Sequence, residues 1–259
     1  MSKKVLITAG TTAFSIDQVR VISPDLPNSP VSIKNIFRGK TGADIAKYFA
    51  RKGDQVTLAT SGENISGDGN VRIIPYITFQ GLESIMEQEI TGGQYDIIIH
   101  SAAVADFMPD KAYGRTEDGQ LVEIDSTKKI SSKNPELFLR FVPTPKLIDK
   151  IREPWGFQNV LVKFKLEVGI SDNELLQIAQ KSMRHSKANF IVANCLEWAD
   201  ERAIIITDNK SVTIPFFDLQ RYELPSQLYN LVKRKLCPEE HADRKQRYIS
   251  LSVKDNSHE

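Results

Sequence analysis

The sequence predicts an α/β fold built on a doubly wound, mostly parallel sheet. Three observations point there: short apolar runs that fill both faces of a strand, amphipathic stretches of helical spacing between them, and glycines at the junctions. Lys4–Ala9 is such a run and ends at Gly10. A helix is predicted over 41–52, where Ile45, Ala46, Phe49 and Ala50 share one stripe and Gly53 falls at the C-terminal cap. Strands follow at 55–59 and Val71–Pro75. The spacing of Leu82, Ile85, Met86 and Ile90 predicts a helix stopped by Gly92-Gly93, and 96–100 returns to a buried strand. Strands separated by helices come back by crossovers and pair in parallel, which makes the first hundred residues Rossmann-like.

From Asp106 the texture changes. Charged and turn residues dominate, with short alternating pieces at 120–124 and 137–141, so about 107–143 is predicted to form a protruding flap. Regular α/β pattern resumes with a helix at 145–151, a strand at 160–164, a helix over Asp172–His185 and a strand at 190–193. Arg202–Thr207 and 211–214, separated by Asp208-Asn209-Lys210, predict a C-terminal β-hairpin. A last helix is expected over Leu224–Leu236. The reading gives one domain over 1–237 and a charged tail over 238–259.

Composition narrows the function. The 259 residues are 41% hydrophobic and 26% charged, enough to build a core without disulfides or structural metal. A net charge of +1 argues against a broad nucleic-acid-binding surface. Cys195 and Cys237 stand far apart and build neither a disulfide framework nor a CxxC zinc site. The opening MSKKVLITAGTT has too short an apolar run for a secretion signal, and no run reaches the ~18 residues of a membrane span. A cytoplasmic protein is expected, with neither membrane nor nucleic acid as partner.

Chemistry is expected at the carboxyl ends of the strands, where open α/β sheets bind ligands. Gly10 ends the first strand but stands alone where a dinucleotide fingerprint wants GxGxxG. Gly39-Lys40-Thr41-Gly42 opens a helix, whose free N–H groups suit a phosphate; it is not a P-loop, because Lys34 occupies the position of that motif's first glycine. The small residues of Ser101-Ala102-Ala103-Val104-Ala105-Asp106 would let a ligand lie against the backbone. Asp17, Arg20, Lys128, Lys129 and Phe164-Lys165 add groups at the same edge. Plainer alternatives stand beside each: a Thr-capped loop, small residues that accommodate helix packing, solvated surface charge.

Taken in order, the segments ITAGTT, IDQVR, NIFRGKTG, SAAVADF, KKISS, VKFKLE and VANCLE resemble the phosphopantothenate–cysteine ligase family over about residues 4 to 197. With no flavin-binding decarboxylase segment ahead of them, they look like that family's stand-alone form. The resemblance implies a ligase of coenzyme A biosynthesis that turns the carboxylate of 4'-phosphopantothenate into an acyl-nucleotidylate with CTP or ATP, releases pyrophosphate, and lets the amine of cysteine attack. It implies Mg2+ accompanying the nucleoside triphosphate, no metal site of protein ligands, and a homodimer. By residue, it implies catalytic roles for Asn35, Lys129 and Arg20, and substrate-binding roles for Ala102, Ala103, Asp106, Gly39, Gly42 and Arg38. Nucleotide-binding roles fall to Gly10, Thr11, Lys128, Phe164, Lys165 and Asn194. The chain departs from the pattern at Thr11, where the family usually has glycine, at an apparent insertion over 24–34, and at Phe37-Arg38, which replace a Ser-Ser pair. Asn28 competes with Asn35 for the asparagine role. The Arg38 fork could replace hydroxyl donors to phosphate. Two other readings remain: a nucleotide-binding relative with altered or lost ligase activity, and a nicotinamide-dependent reductase. The reductase would want a Gly-rich first turn and a Tyr-x-x-x-Lys pair, and Tyr113, Tyr222 and Tyr229 are read as lacking that spacing.

Overall fold

The computed structural model describes residues 2–16, 21–22, 39–62, 70–208 and 216–238. The first half comprises β1 (Lys4–Ala9), β2 (Phe14–Ser15), β3 (Val21–Ile22), α1 (Lys40–Arg51), β4 (Gln55–Thr60), β5 (Val71–Pro75), α2 (Phe79–Gly92) and β6 (Ile97–His100). Next come β7 (Phe107–Arg115), β8 (Leu121–Ile124), β9 (Leu137–Pro143), α3 (Leu147–Arg152), β10 (Val160–Glu167) and α4 (Asp172–His185). The remainder is β11 (Phe190–Cys195), β12 (Arg202–Thr207), β13 (Phe216–Gln220) and α5 (Leu224–Leu236).

The main sheet has eight strands in the order β13-β12-β11-β10-β6-β1-β4-β5. β1 pairs in parallel with β4 on one side and β6 on the other. The chain therefore winds outward through β4 and β5, then crosses back to β6 and winds the other way through β10 and β11. β12 is antiparallel to both β11 and β13, so β13 runs in the same sense as the parallel strands. This is the predicted doubly wound fold with an antiparallel C-terminal extension.

Alternation along each strand creates two cores. Leu6, Ile98, Leu161, Ile191 and Ile204 face α2, α3 and α4, where Leu82, Leu147 and Leu175 meet them. Val5, Ile7, Ile99, Val162, Val192 and Ile205 point the other way, onto Phe49 of α1 and Leu228 of α5. Helix ends follow local chemistry. Ser171 and Glu174 form a reciprocal capping box at α4, Thr78 accepts from the Gly81 N–H at α2, and Gly53 takes a positive φ just past α1.

Two sequence expectations need correction. The flap is a regular three-stranded antiparallel sheet, β8-β7-β9, whose central strand was not predicted. Pro109, Asp110 and Gly114 hide β7 in the sequence, and the register does shift between Pro109 and Lys111, where a bulge absorbs the proline. The partner of β12 is β13, beginning at Phe216; the expected strand at 211–214 lies outside the described residues, as does the tail from 239 onward. No helix among the described residues is long and apolar enough to cross a membrane.

Candidate functional site

Strand order reverses between β1 and β6, and a crevice opens at their carboxyl ends. Its floor is backbone. Ala103 N–H donates to Gly10 O at 2.8 Å, Ser101 N–H to Thr8 O at 3.1 Å, and Thr11 N–H to Ser61 Oγ at 2.7 Å. Thr11 and Ala103 form a parallel bridge that carries the β1–β6 pairing one step beyond the sheet.

The first turn of α1 lies close on this floor because Gly39 and Gly42 carry no side chain, and Gly10 leaves room for Ser61 beside it. Gly10 and Gly39 have φ of 92° and 79°, values that suit glycine. A Cβ on Gly39 would stand 2.8 Å from Gly10 N, and one on Gly42 would stand 2.5 Å from Ala9 Cβ and 2.7 Å from Ser101 Oγ. These are the tasks of a dinucleotide fingerprint's glycines, a tight turn, close backbone approach and helix-on-strand packing, here divided between two distant segments. The first helical N–H to find a helical acceptor is that of Ala43, which donates to Gly39 O at 3.0 Å. The N–H groups of Lys40, Thr41 and Gly42 precede it, the N-cap Gly39 has no side chain to cap them, and the first turn carries no acidic residue. Such a terminus receives an anion well.

Arg221 completes this side, and the sequence reading missed it. Its guanidinium donates to Thr41 Oγ1 and, at 3.3 Å, to Asn194 Oδ1, tying the start of α1 to the end of β11. Burial lowers its pKa, while the carboxylates of Asp200 and Asp44 act in the opposite sense. The signal was available in the hairpin: two antiparallel strands after β11 return the chain to the carboxyl edge, so the residue after β13 had to lie there.

On the other face of the sheet a polar row replaces the apolar one. Thr8 Oγ1 and His100 Nδ1 are 2.8 Å apart, Lys163 is the register partner of His100, and Lys163 Nζ donates to Ser182 Oγ at 2.9 Å. Burial holds the His100 imidazole down to about 4, with the positive Lys163 pushing the same way.

The site residues expected from sequence divide accordingly. Gly10, Gly39 and Gly42 are buried at the glycine contact, with Thr11, Ala102 and Ala103 half-buried beside it. Asn194 is buried under Arg221, and Phe164 packs on the α1–α5 core. Lys165, expected in the same pocket as Phe164, faces the opposite side of the sheet, because adjacent strand residues must; it pairs with Glu167 at 2.8 Å. Asp106, at the edge of the crevice, is exposed and ion-paired with Lys146. On the flap, Lys128 stands 3.8 Å from Asp125, and Lys129 is exposed next to buried Ile130. Arg20, Asn35 and Arg38, with the competing Asn28, lie outside the described residues.

Besides Tyr48 and Lys52, whose ammonium lies over the ring, the Tyr-x-x-x-Lys spacing of a reductase occurs at Tyr229 and Lys233, against the sequence reading. The structure spends both residues elsewhere. Tyr229 packs edge-on against Tyr48 and Phe49, and Lys233 Nζ is bound to buried Asp54 at 2.7 Å, just before β4 and so at the amino end of the sheet. A hollow of about 700 Å³ also lies at that edge, lined by Asp54, Asn70, Arg72, Glu89 and Tyr95. Arg72, Glu89 and Tyr95 hydrogen-bond one another there, which makes it a self-satisfied surface recess rather than a second site.

Residues 1–239 match the family described as DNA/pantothenate metabolism flavoprotein C-terminal domain. The chain belongs to that family. It is 30% identical over 237 residues to the coenzyme A biosynthesis bifunctional protein CoaBC of Thermococcus kodakarensis, covering 90% of this chain and 52% of that protein. It therefore spans about half the length of this curated relative. Among solved structures, the DNA/pantothenate metabolism flavoprotein of Streptococcus pneumoniae superposes with a TM-score of 0.71 at 26% identity, covering 90% of this chain and all (100%) of that one. A Cab2 variant in complex with phosphopantothenate-cysteine has the same fold, with a TM-score of 0.63 at 16% identity over 92% of this chain and 89% of its own.

Two outcomes test this geometry. Gly42→Ala is expected to lower stability by about 2 kcal/mol, since neither Ala9 nor the strand beneath it can yield, and thermal or urea unfolding reads the loss. For His100, the folded pKa lies below the unfolded one, so between about pH 4 and 6.5 the unfolded chain binds more protons and stability rises with pH. The wild type is expected to lose about 3 kcal/mol on acidification across that window. His100→Gln is expected to remove that component of the unfolding profile.

Proposed function

We propose that the crevice joins 4'-phosphopantothenate to cysteine through an acyl-nucleotidylate formed from CTP or ATP, a step of coenzyme A biosynthesis, in a cytoplasmic homodimer. The observation that supports it most is the glycine-lined, uncapped start of α1 standing against the small-residue wall of Ala102 and Ala103 at the strand-order reversal. Membership of the family, and relatives named for coenzyme A biosynthesis, point the same way.

In this reading the phosphate monoester of the acid sits on the N–H groups of Lys40, Thr41 and Gly42, with Arg221 and Arg38 as cationic neighbours. The pantothenate arm runs along Ala102 and Ala103, where no side chain holds it off the backbone. Its carboxylate then meets the α-phosphorus of the nucleotide, and alignment rather than covalent participation by the protein carries most of the rate. Gly10, Thr11 and Lys165 border the oligophosphate of the nucleotide and Phe164 and Asn194 the remainder of it across the strand ends, while Lys128 and Lys129 of the flap offset phosphate charge as it develops. Asn35 holds the acyl-nucleotidylate for attack by the cysteine amine, and Arg20 orients the loop that carries it. Asp106 offers one carboxylate at the edge of the crevice. That fits magnesium arriving on the triphosphate, since the ion commonly takes one or two carboxylates beside phosphate and water. When bound, it supplies charge neutralisation along the phosphate chain. The single domain over 1–237, with 107–143 as its flap, is part of the same proposal.

The test is pyrophosphate release by the purified chain with magnesium and 4'-phosphopantothenate, run separately with CTP and with ATP, with and without cysteine. Release that requires 4'-phosphopantothenate is expected with at least one nucleotide, and Asn35→Ala is expected to slow the cysteine-dependent product step by about a hundredfold. Nucleotide binding by folded protein with no pyrophosphate formed would instead identify a relative that has lost the reaction, with Thr11 at the crevice floor as the first position to revert.

A further inference from the structure

Lys163 is the one buried lysine or arginine among the described residues, at 7% exposure, and the mechanism above does not use it. It lies in the middle of β10, where alternation places it on the α3–α4 face with Leu161 and Lys165. Its ammonium donates to Ser182 Oγ at 2.9 Å and approaches Ser182 O at 3.4 Å, both neutral acceptors. No carboxylate among the described residues lies within ion-pair distance of it, and buried ammonium groups are normally paired.

The groups around it leave the charge uncompensated. Asp149 of α3 attracts it from a distance, but that carboxylate already stands 3.3 Å from His185 Nε2 of α4. Lys146, ahead of α3, and Lys165, on its own strand, repel it, and each of those has its own carboxylate, Asp106 and Glu167. Behind it, His100 of β6 is a neutral imidazole held by Thr8. Burial, opposed by Asp149 and aided by the two lysines, brings the Lys163 ammonium down to about 8.

We infer that Lys163 anchors the oligophosphate of the nucleotide co-substrate on the α3–α4 face of the crevice, exchanging its Ser182 contacts for phosphate oxygens. The proposal rests on the ligase reading, in which two phosphate-bearing substrates meet at one strand-order reversal. The two faces of the sheet are unequally charged for them. Among the described residues, the α1–α5 face offers the start of α1 and the Arg221 guanidinium, a match for a monoester. On the α3–α4 face Lys146 and Lys165 stand near Lys163 but hold Asp106 and Glu167, so Lys163 is the cation left there for a polyanion. Phosphate oxygens would supply the counter-charge that Lys163 lacks in the free protein.

Calorimetric binding of magnesium-bound CTP and ATP, of tripolyphosphate and, separately, of 4'-phosphopantothenate to wild type, Lys163→Met and Lys163→Arg tests the inference. Lys163→Met is expected to weaken nucleotide and tripolyphosphate at least tenfold, to leave 4'-phosphopantothenate within about twofold, and to unfold no earlier than wild type because it removes a buried charge. Lys163→Arg is expected to retain more of the affinity than Lys163→Met. In the wild type, nucleotide affinity is expected to decline as pH rises past about 8, and in Lys163→Met that decline is lost. Equal nucleotide affinity in wild type and folded Lys163→Met overturns the assignment and leaves the ligase reading standing, as does a loss confined to 4'-phosphopantothenate. A wild type that binds neither nucleotide nor tripolyphosphate overturns both.

Discussion

The contact between the end of β1 and the first turn of α1 sets the terms for everything around it. A helix can descend this far onto a strand only where no Cβ intervenes, and the chain supplies Gly39 and Gly42 at the points of closest approach, while the absent side chain of Gly10 leaves room for Ser61. The descent brings the uncapped N–H groups of α1 level with the backbone of Gly10 and Ser101. It also puts Thr41 within reach of Arg221, so the last strand of the sheet is tied to the first helix. Widening this contact by a single methyl group would move the anion-receiving turn away from the wall of Ala102 and Ala103.

Strand alternation supplies the second half of the arrangement. Residues that are neighbours in sequence at the carboxyl edge serve opposite faces, as Phe164 and Lys165 do. The sheet therefore partitions the crevice into a side with a helix terminus and guanidinium and a side with a lysine cluster over a buried neutral histidine. In the proposed ligase this separation keeps two anionic substrates from competing for one cationic site, while the strand-order reversal lets their reacting ends meet. Burial of Lys163 and His100 then has a rationale beyond packing: desolvation keeps one neutral and the other in need of a counter-ion.

Much of the fold was legible because it depends on local pattern. β1, β5, α4 and α5 run over the residues their periodicity gives, and the glycine at 53 stops α1 as its position suggests. What escaped was non-local. β7 is interrupted by Pro109 and Gly114 and becomes a strand only because β8 and β9 flank it. The split glycine fingerprint is invisible to a contiguous motif, since Gly10 and Gly39 meet only after the intervening chain has returned. Arg221 reads as a surface charge until the two antiparallel strands before it are counted. Lys163 reads as one polar residue in an apolar run, and only the register with His100 and the approach of Ser182 give it a place. Three of the segments that resembled the ligase family, ITAGTT, GKTG and SAAVADF, come together at the β1–β6 strand ends, but the resemblance could not assign residues to faces.

The central claim is that both phosphate-bearing substrates bind at the carboxyl edge, on opposite faces of the β1–β6 reversal. A crystal structure of the chain with 4'-phosphopantothenate and a non-hydrolysable CTP or ATP analogue tests it most directly. The account expects the monoester phosphate on the N–H groups of Lys40, Thr41 and Gly42 beside Arg221, and the oligophosphate on the Lys163 side. Both ligands on one face, or either in the hollow at the amino edge around Arg72 and Tyr95, would contradict it.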